Sequence, residues 1–280
     1  MSPSALLSLD GTRILLTGAS GGIGRAIAVA LARAGAELAL SGRTAAGLQD
    51  IAATVCAEGR SVHLLPEDLA VPEAPKRLVD TAADSLGGLD VLMHVAGAFP
   101  ADGAGRFRPV PLVNSEGEDW APIVSVNFTA ALELCRSAYP HLTKSPSPSV
   151  LLLSSAVGLM GASAGEAYAM SKAAQISLAR SLAVAWGPQN IRVNALCPGI
   201  VDTDSSEALA DNETLSHWFL SRTPLGRWAT EEDVALAALF LSSPAAGFIT
   251  GQSLAVDGGM SVPGSGFTAP DDARQAAASG

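Results

Sequence analysis

The chain has 280 residues, a formal charge of −10, 48% hydrophobic side chains and 16% charged ones. That balance supplies a sizeable core and excludes a wholly disordered chain. It also weighs against nucleic acid or an anionic membrane as a general partner, because both repel a net-negative surface. Cys56, Cys135 and Cys197 are widely spaced, and His63, His94, His141 and His217 lack metal-ligand spacing. Reduced thiols and no metal site are therefore expected. The N-terminus lacks a basic start followed by an apolar run, and no apolar stretch reaches about 18 residues. Neither a secretory leader nor a membrane span is expected, and the expected address is the cytoplasm.

Arg13 to Thr17 is a short apolar run that ends in glycines. An alanine-rich helical segment follows, Arg25 to Ala34, with Gly35 as its stop, and then a second apolar run, Glu37 to Leu40. Strand, helix, strand is the unit of a parallel sheet. The pattern continues with strands at Val62 to Leu65, Leu89 to His94, Val150 to Ser154, Ile191 to Leu196 and Ser253 to Val256, and a helix at Pro75 to Leu86. The runs are continuous rather than alternating, as in strands covered by helices on both faces. The expected fold is α/β: a single doubly wound, Rossmann-type domain with about seven parallel strands, over residues 1–262. Phe99 to Glu118 reads as a loop, and Asp202 to Arg227 as an insertion carrying His217, Trp218 and Phe219. Phe99, Met160, Trp218 and Phe219 hint at an apolar substrate pocket, though each also suits packing. Residues 263–280 read as a flexible tail.

Thr17-Gly18-Ala19-Ser20-Gly21-Gly22-Ile23-Gly24 joins the first strand to the first helix. Gly18 allows a tight turn, Gly22 lets backbone approach a pyrophosphate, and Gly24 lets the helix pack close to the sheet. The helix N-terminus then presents free N–H groups to the anion. The second strand ends in Ser41-Gly42-Arg43-Thr44, without the acid that would accept a ribose 2′-hydroxyl. Arg43 instead suits a 2′-phosphate, which favours NADP over NAD, unless it is simply a solvated surface arginine.

Tyr168 and Lys172 are four residues apart, one turn on the same helix face. A phenol ordinarily titrates at about 10 and is a poor base at neutral pH, and a neighbouring ammonium favours its phenolate. Ser154-Ser155 ends a buried strand 13 residues before Tyr168, and Asn127 lies in Ser-Val-Asn-Phe. With the glycine turn, Asp68, Ala96-Gly97, Asn194, Pro198-Gly199 and the closing Val256-Asp257-Gly258-Gly259, roughly residues 8–262 resemble the short-chain dehydrogenase/reductase family, in particular its 3-oxoacyl-ACP reductase-like branch.

The resemblance implies a hydride transfer between NADP(H) and a ketone or secondary alcohol. It makes Tyr168 the general acid/base and has Lys172 lower its pKa while binding the nicotinamide ribose. Ser155 would polarise the substrate oxygen, and Asn127 would hold a water linking Lys172 to solvent. Cofactor contacts would come from Gly18, Ser20, Gly22, Ile23, Gly24 and Arg43; from Asp68 and Leu69 at the adenine; from Ala96 and Gly97; and from Pro198, Gly199, Ile200 and Thr203 at the carboxamide. Ser154 reads as a structural neighbour, and Asn127 and Thr203 also suit plain helix and loop roles. Trp120 reads as helix packing, and Trp186 and Trp228 as core or interface residues.

Two departures stand out. His94-Val95 replaces the two asparagines common before Ala-Gly and reads as strand packing rather than catalysis. Gly21 stands where some NADP-using relatives have a second basic residue, leaving Arg43 alone for that selection.

The helices at Phe128 to Leu142 and Tyr168 to Trp186 are candidates for a subunit interface. The second is apolar on most faces, and family members commonly assemble on this pair, so a homotetramer is expected, with a dimer as alternative. The partner otherwise is a small-molecule carbonyl or alcohol. An acyl carrier protein would need a basic patch, for which Arg136 and Arg180 are poor material in so acidic a chain. The alternatives are an NAD-dependent alcohol dehydrogenase, a non-catalytic nucleotide-sensing regulator, or an epimerase or dehydratase on the same fold.

Overall fold

The computed structural model describes residues 6–102, 108–203, 206 and 212–262; the proposed tail lies outside the described residues. Seven strands form one wholly parallel sheet: β1 (Arg13–Thr17), β2 (Glu37–Gly42), β3 (Val62–Pro66), β4 (Val91–His94), β5 (Ser149–Leu153), β6 (Arg192–Pro198) and β7 (Ser253–Val256). Their order is β3-β2-β1-β4-β5-β6-β7. The order reverses direction between β1 and β4, which opens a crevice at the carboxyl ends of those two strands.

Alternate residues of each strand face opposite layers. Ile14 and Leu16 of β1 face one core with Leu38, Leu40, Val91 and Met93. That core is closed by the apolar faces of α1 (Gly22–Arg33), α2 (Ala45–Ala57) and α8 (Glu231–Ser242). Leu15, Leu92, Val150 and Leu152 face the other, closed by α3 (Ala74–Leu86), α5 (Ala130–Leu142) and α6 (Glu166–Trp186). Two further helices are α4 (Gly117–Ile123) and α7 (Glu213–Ser221).

The doubly wound expectation holds, with corrected bounds. β4 begins at Val91 rather than Leu89. β5 ends at Leu153, which leaves Ser154 just beyond the strand. The segment from Phe99 to Glu118 is not wholly loop: a 3-10 turn spans Leu112–Asn114, and α4 begins at Gly117. The helix expected from Phe128 starts earlier, since α4 runs into α5 through a π-helical turn at Val124–Thr129. Helix α2 lies outside the elements expected above; Leu48, Ile51 and Val55 form its buried stripe, and Thr44 caps it by accepting from the Gly47 N–H.

At the amino edge of the sheet, Arg13 grips Asp90 with two bonds, Nε to Oδ2 and Nη2 to Oδ1, each 2.8 Å. Asp90 is buried. Burial alone would raise its pKa, but the Arg13 guanidinium outweighs that and holds the carboxyl below its ordinary range. Asp90→Ala should strand Arg13 and loosen the β1–β4 start, costing about 2–3 kcal/mol in urea unfolding with an unchanged denaturant slope.

Candidate functional site

The crevice floor begins at the β1–β4 seam. Thr17 and His94 are register partners at the carboxyl ends of the two strands. His94 is fully buried, and its Nε2 lies 3.2 Å from the Val126 carbonyl. A carbonyl only accepts, so Nε2 carries the hydrogen and Nδ1 accepts from the Thr17 hydroxyl at 3.0 Å. The Thr17 oxygen then accepts from the N–H groups of Val95 and Ala96, each at 3.2 Å. His94 is thus a strand-packing residue, as its position suggested. Burial, reinforced by the charge of Lys172, drives its pKa down to about 3 despite the opposing Val126 bond.

The glycine turn sits above this seam. Gly18 has φ +73°, and a Cβ there would collide with the Ala96 backbone. A Cβ on Gly24 would strike the Gly18 carbonyl, and one on Gly22 would meet the Glu231 carboxylate and Thr203. Gly18 and Gly24 are therefore demanded by the turn itself, while Gly22 lets the Glu231 carboxylate and Thr203 come up against the start of α1. Glu231, at the start of α8, was not singled out from sequence, because nothing local says that α8 begins against the N-terminus of α1.

Ser20 packs over the start of α2: its Oγ would lie 2.8 Å from a Cβ on Gly42, and its Cβ 3.2 Å from one on Gly47. Exposed Arg43 precedes the Thr44 cap of the same helix. The Ser20 hydroxyl and the N-terminus of this 13-residue helix therefore lie side by side, with Arg43 on the segment that enters the helix. Asp68 is exposed and accepts from the Ala70 N–H at 3.0 Å, and the following Leu69 is buried. On the far side, Pro198 ends β6 and Gly199 closes against Asp257, where a Cβ would come within 2.9 Å of its Cα. Thr203 is bound through its N–H to Ser206 at 3.0 Å. A cavity of about 520 Å3 borders this region, lined by Ile200, Phe219, Trp228 and Gly258 among others. Ser155, Tyr168 and Lys172 are not among its lining residues.

Helix α6 carries Tyr168 and Lys172. It starts at Gly165 with φ +76°, whose N–H donates to the Val110 carbonyl at 3.2 Å. Glu166 Oε2 accepts from the Leu112 N–H at 3.1 Å, tying the preceding loop to the helix start. Gly158 lets the backbone around Lys172 approach; a Cβ there would come within 2.9 Å of the Lys172 carbonyl carbon. Ser154 donates to the Lys172 carbonyl at 2.8 Å, which makes it the structural neighbour expected.

Lys172 Nζ lies 5.6 Å from the centre of the Tyr168 ring, donates to the Leu153 carbonyl at 2.7 Å and bonds Gln175 Oε1 at 3.3 Å. Gly97 lies against both Lys172 and Asn127, each about 3.4 Å from where its Cβ would stand. Asn127, on the π-helical turn, clamps Ala98 through its N–H at 2.7 Å and its carbonyl at 2.8 Å, and donates to Ser171 Oγ at 3.0 Å. Both ends of its side-chain amide are therefore bonded to protein.

The expected depression of the Tyr168 pKa does not appear. Burial pushes the phenol up to about 12, and the polar contact with Ser155 only partly opposes it. Burial also draws Lys172 down to about 8. Both groups are pushed toward their neutral forms, because each charge would leave water for a poorly solvating pocket.

The aromatic residues sort by environment. Trp186 packs on Tyr139 with ring centres 5.0 Å apart, while Trp120 is exposed rather than packed. Trp218 meets Phe219 edge to face, with the Arg222 guanidinium 4.0 Å from its ring centre. The described residues contain no metal-ligating cluster and no helix long and apolar enough to cross a membrane.

The family model described as enoyl-(acyl carrier protein) reductase matches residues 18–261. The chain belongs to the short-chain dehydrogenase/reductase family. Among relatives in that family, gluconate 5-dehydrogenase of Gluconobacter oxydans is 33% identical over 94% of this chain and 99% of its own length. A 3-oxoacyl-[acyl-carrier-protein] reductase of Vibrio cholerae is 32% identical over 91% and 99%. Among solved structures, a short chain dehydrogenase from Burkholderia cenocepacia in complex with NADP superposes with TM-score 0.80 at 32% identity, covering 90% of this chain and 98% of that one. The RhlG/NADP active-site complex of Pseudomonas aeruginosa superposes with TM-score 0.84 at 28% identity, covering 94% and 100%.

Because His94 is neutral in the fold and free to protonate once unfolded, this reductase-family chain should lose stability as pH falls below about 6.5. Between pH ~6.5 and ~5.5 the loss should be about 1 kcal/mol. His94→Asn should flatten that segment of the curve, read by urea unfolding across the range.

Proposed function

We propose that the protein transfers a hydride between NADP(H) and a ketone or secondary alcohol, with Tyr168 as proton donor and acceptor. The observation that carries the reading is the convergence of Ser155, Tyr168 and Lys172 at the mouth of the crevice, beside Gly97 and the glycine turn. The cofactor fits the residues present. A pyrophosphate would be held by Gly18, Gly22, Ile23 and Gly24 at the start of α1, with the Glu231 side chain turned away from Gly22. Asp68 and Leu69 would hold the adenine, Ala96 and Gly97 would line the channel, and Pro198, Gly199, Ile200 and Thr203 would hold the carboxamide. Ser20, Arg43 and the N-terminus of α2 suit a 2′-phosphate, and no acid at positions 41–44 opposes it. Solved relatives carrying NADP support the same choice.

When bound, the cofactor supplies or accepts the hydride at the substrate carbon. In reduction, Tyr168 gives its phenolic proton to the substrate oxygen. Its raised pKa suits this role, because the proton stays on the phenol until an oxygen with growing negative charge arrives. Ser155 donates a hydrogen bond to that oxygen. Lys172, anchored on the Leu153 carbonyl, steadies the phenolate left behind and would bind the nicotinamide ribose hydroxyls. In oxidation the same proton returns to Tyr168.

Exposed apolar side chains also support the homotetramer expectation. Phe128 and Leu132 line the α5 side, Val184 the outer face of α6, and Phe248 the turn before β7. Light scattering of the purified protein tests it: a tetramer mass agrees, a monomer mass refutes.

Tyr168→Phe should abolish NADPH-dependent reduction of ketones while leaving the NADPH dissociation constant within about threefold, because the hydroxyl alone is removed. Arg43→Ala should cost about 1–3 kcal/mol of the preference for NADPH over NADH, measured by fluorescence titration. Equal binding of the two cofactors to the unaltered protein would instead favour NAD and alcohol oxidation.

A further inference from the structure

Gln175 is 1% exposed, three residues beyond Lys172 on α6, among the apolar neighbours Ile176 and Ala179. A buried amide is costly unless both its ends are bonded. Here both are. Nε2 donates to the main-chain carbonyl of Asn127 at 2.9 Å, and Oε1 accepts from Lys172 Nζ at 3.3 Å. The orientation is forced, since a carbonyl only accepts and an ammonium only donates. The amide therefore bridges the ammonium of α6 to the π-helical turn that carries Asn127.

The family resemblance leads one to expect a water between Asn127 and Lys172. In this chain the Asn127 side chain bonds Ala98 and Ser171, and its main-chain carbonyl accepts from Gln175, with a second lone pair left over. We infer that Gln175 is a positioning residue: its side-chain amide ties Lys172 directly to the Asn127 turn. This rests on the catalytic reading above, to which it adds a residue that touches neither substrate nor cofactor. The bridge therefore fixes the position of the Lys172 ammonium against that turn.

The titratable groups facing Lys172 are Tyr168 on its own helix, His94 from β4 and Cys197 from β6. None is a carboxylate, so Gln175 Oε1 and the Leu153 carbonyl are the acceptors that hold the ammonium. Removing one acceptor disfavours the charged form, and replacing it with a carboxylate favours it.

The test is a titration of the Lys172 13Cε resonance in the full-length protein, compared with Gln175→Leu and the near-isosteric Gln175→Glu. Lys76 and Lys144 are the chain's other lysines, so assignment through Lys172→Arg is direct. The Lys172 midpoint should move down in Gln175→Leu and up in Gln175→Glu. The matching limb of the kcat/KM pH profile should move with it, with kcat lower by about tenfold in Gln175→Leu from lost positioning. Unchanged midpoints in two folded variants would overturn the proposal. So would a loss of stability with the titration and the pH profile both unmoved. If the midpoints shift as expected but the unaltered protein reduces no carbonyl with NADPH, the bridge stands and the catalytic reading alone fails.

Discussion

The seam between β1 and β4 is the constraint on which the site depends. A doubly wound sheet opens its crevice where neighbouring strands send their chains to opposite faces, and there the backbone loses its ladder partners. At this seam the Thr17 hydroxyl takes the N–H groups of Val95 and Ala96 and passes its own hydrogen to His94. His94 in turn holds the Val126 carbonyl, the residue before Asn127. One chain of hydrogen bonds therefore joins the strand that enters the glycine turn, the strand that carries Ala96-Gly97, and the helical turn that carries Asn127. An imidazole does this with two ring nitrogens of opposite character, which works only while it is neutral.

Helix α6 acts as a ruler against that seam. Tyr168, Ser171, Lys172 and Gln175 fall at i, i+3, i+4 and i+7, one continuous face. Ser171 and Gln175 bond to Asn127, while Tyr168 and Lys172 face the crevice. The same stripe thus serves both as attachment and as chemistry. The π-helical turn opposite is a wider coil of the kind often found at functional positions. It presents the Asn127 side chain to Ala98 and its carbonyl to Gln175 in one residue.

The electrostatics follow from burial. A chain with a net charge of −10 nevertheless encloses a lysine at its centre and surrounds it with neutral acceptors rather than acids. Charge on Lys172 is tolerated through directed carbonyl and amide oxygens, and the phenol beside it stays protonated. On the proposed function, such a phenol is suited to donate a proton to the substrate oxygen.

The sequence by itself determined the parallel sheet, because continuous apolar runs punctuated by glycine admit few other folds. It also determined the glycine turn and the pairing of Tyr168 with Lys172, because each depends on spacing within a single element. Helix α2 was legible in Leu48, Ile51 and Val55 and was overlooked; Asp90 and Arg13, 77 residues apart, were not legible at all. Only the tertiary structure decided that Gln175 touches Lys172 and Asn127, that Glu231 stands against Gly22, and that His94 is a neutral linker. It also decided the sense of the Tyr168 shift, since a neighbouring ammonium argues for a lower pKa and burial argues for a higher one. Contacts between elements distant in the chain, and the solvent left around a charge, are properties of packing, and no local pattern of residues encodes them.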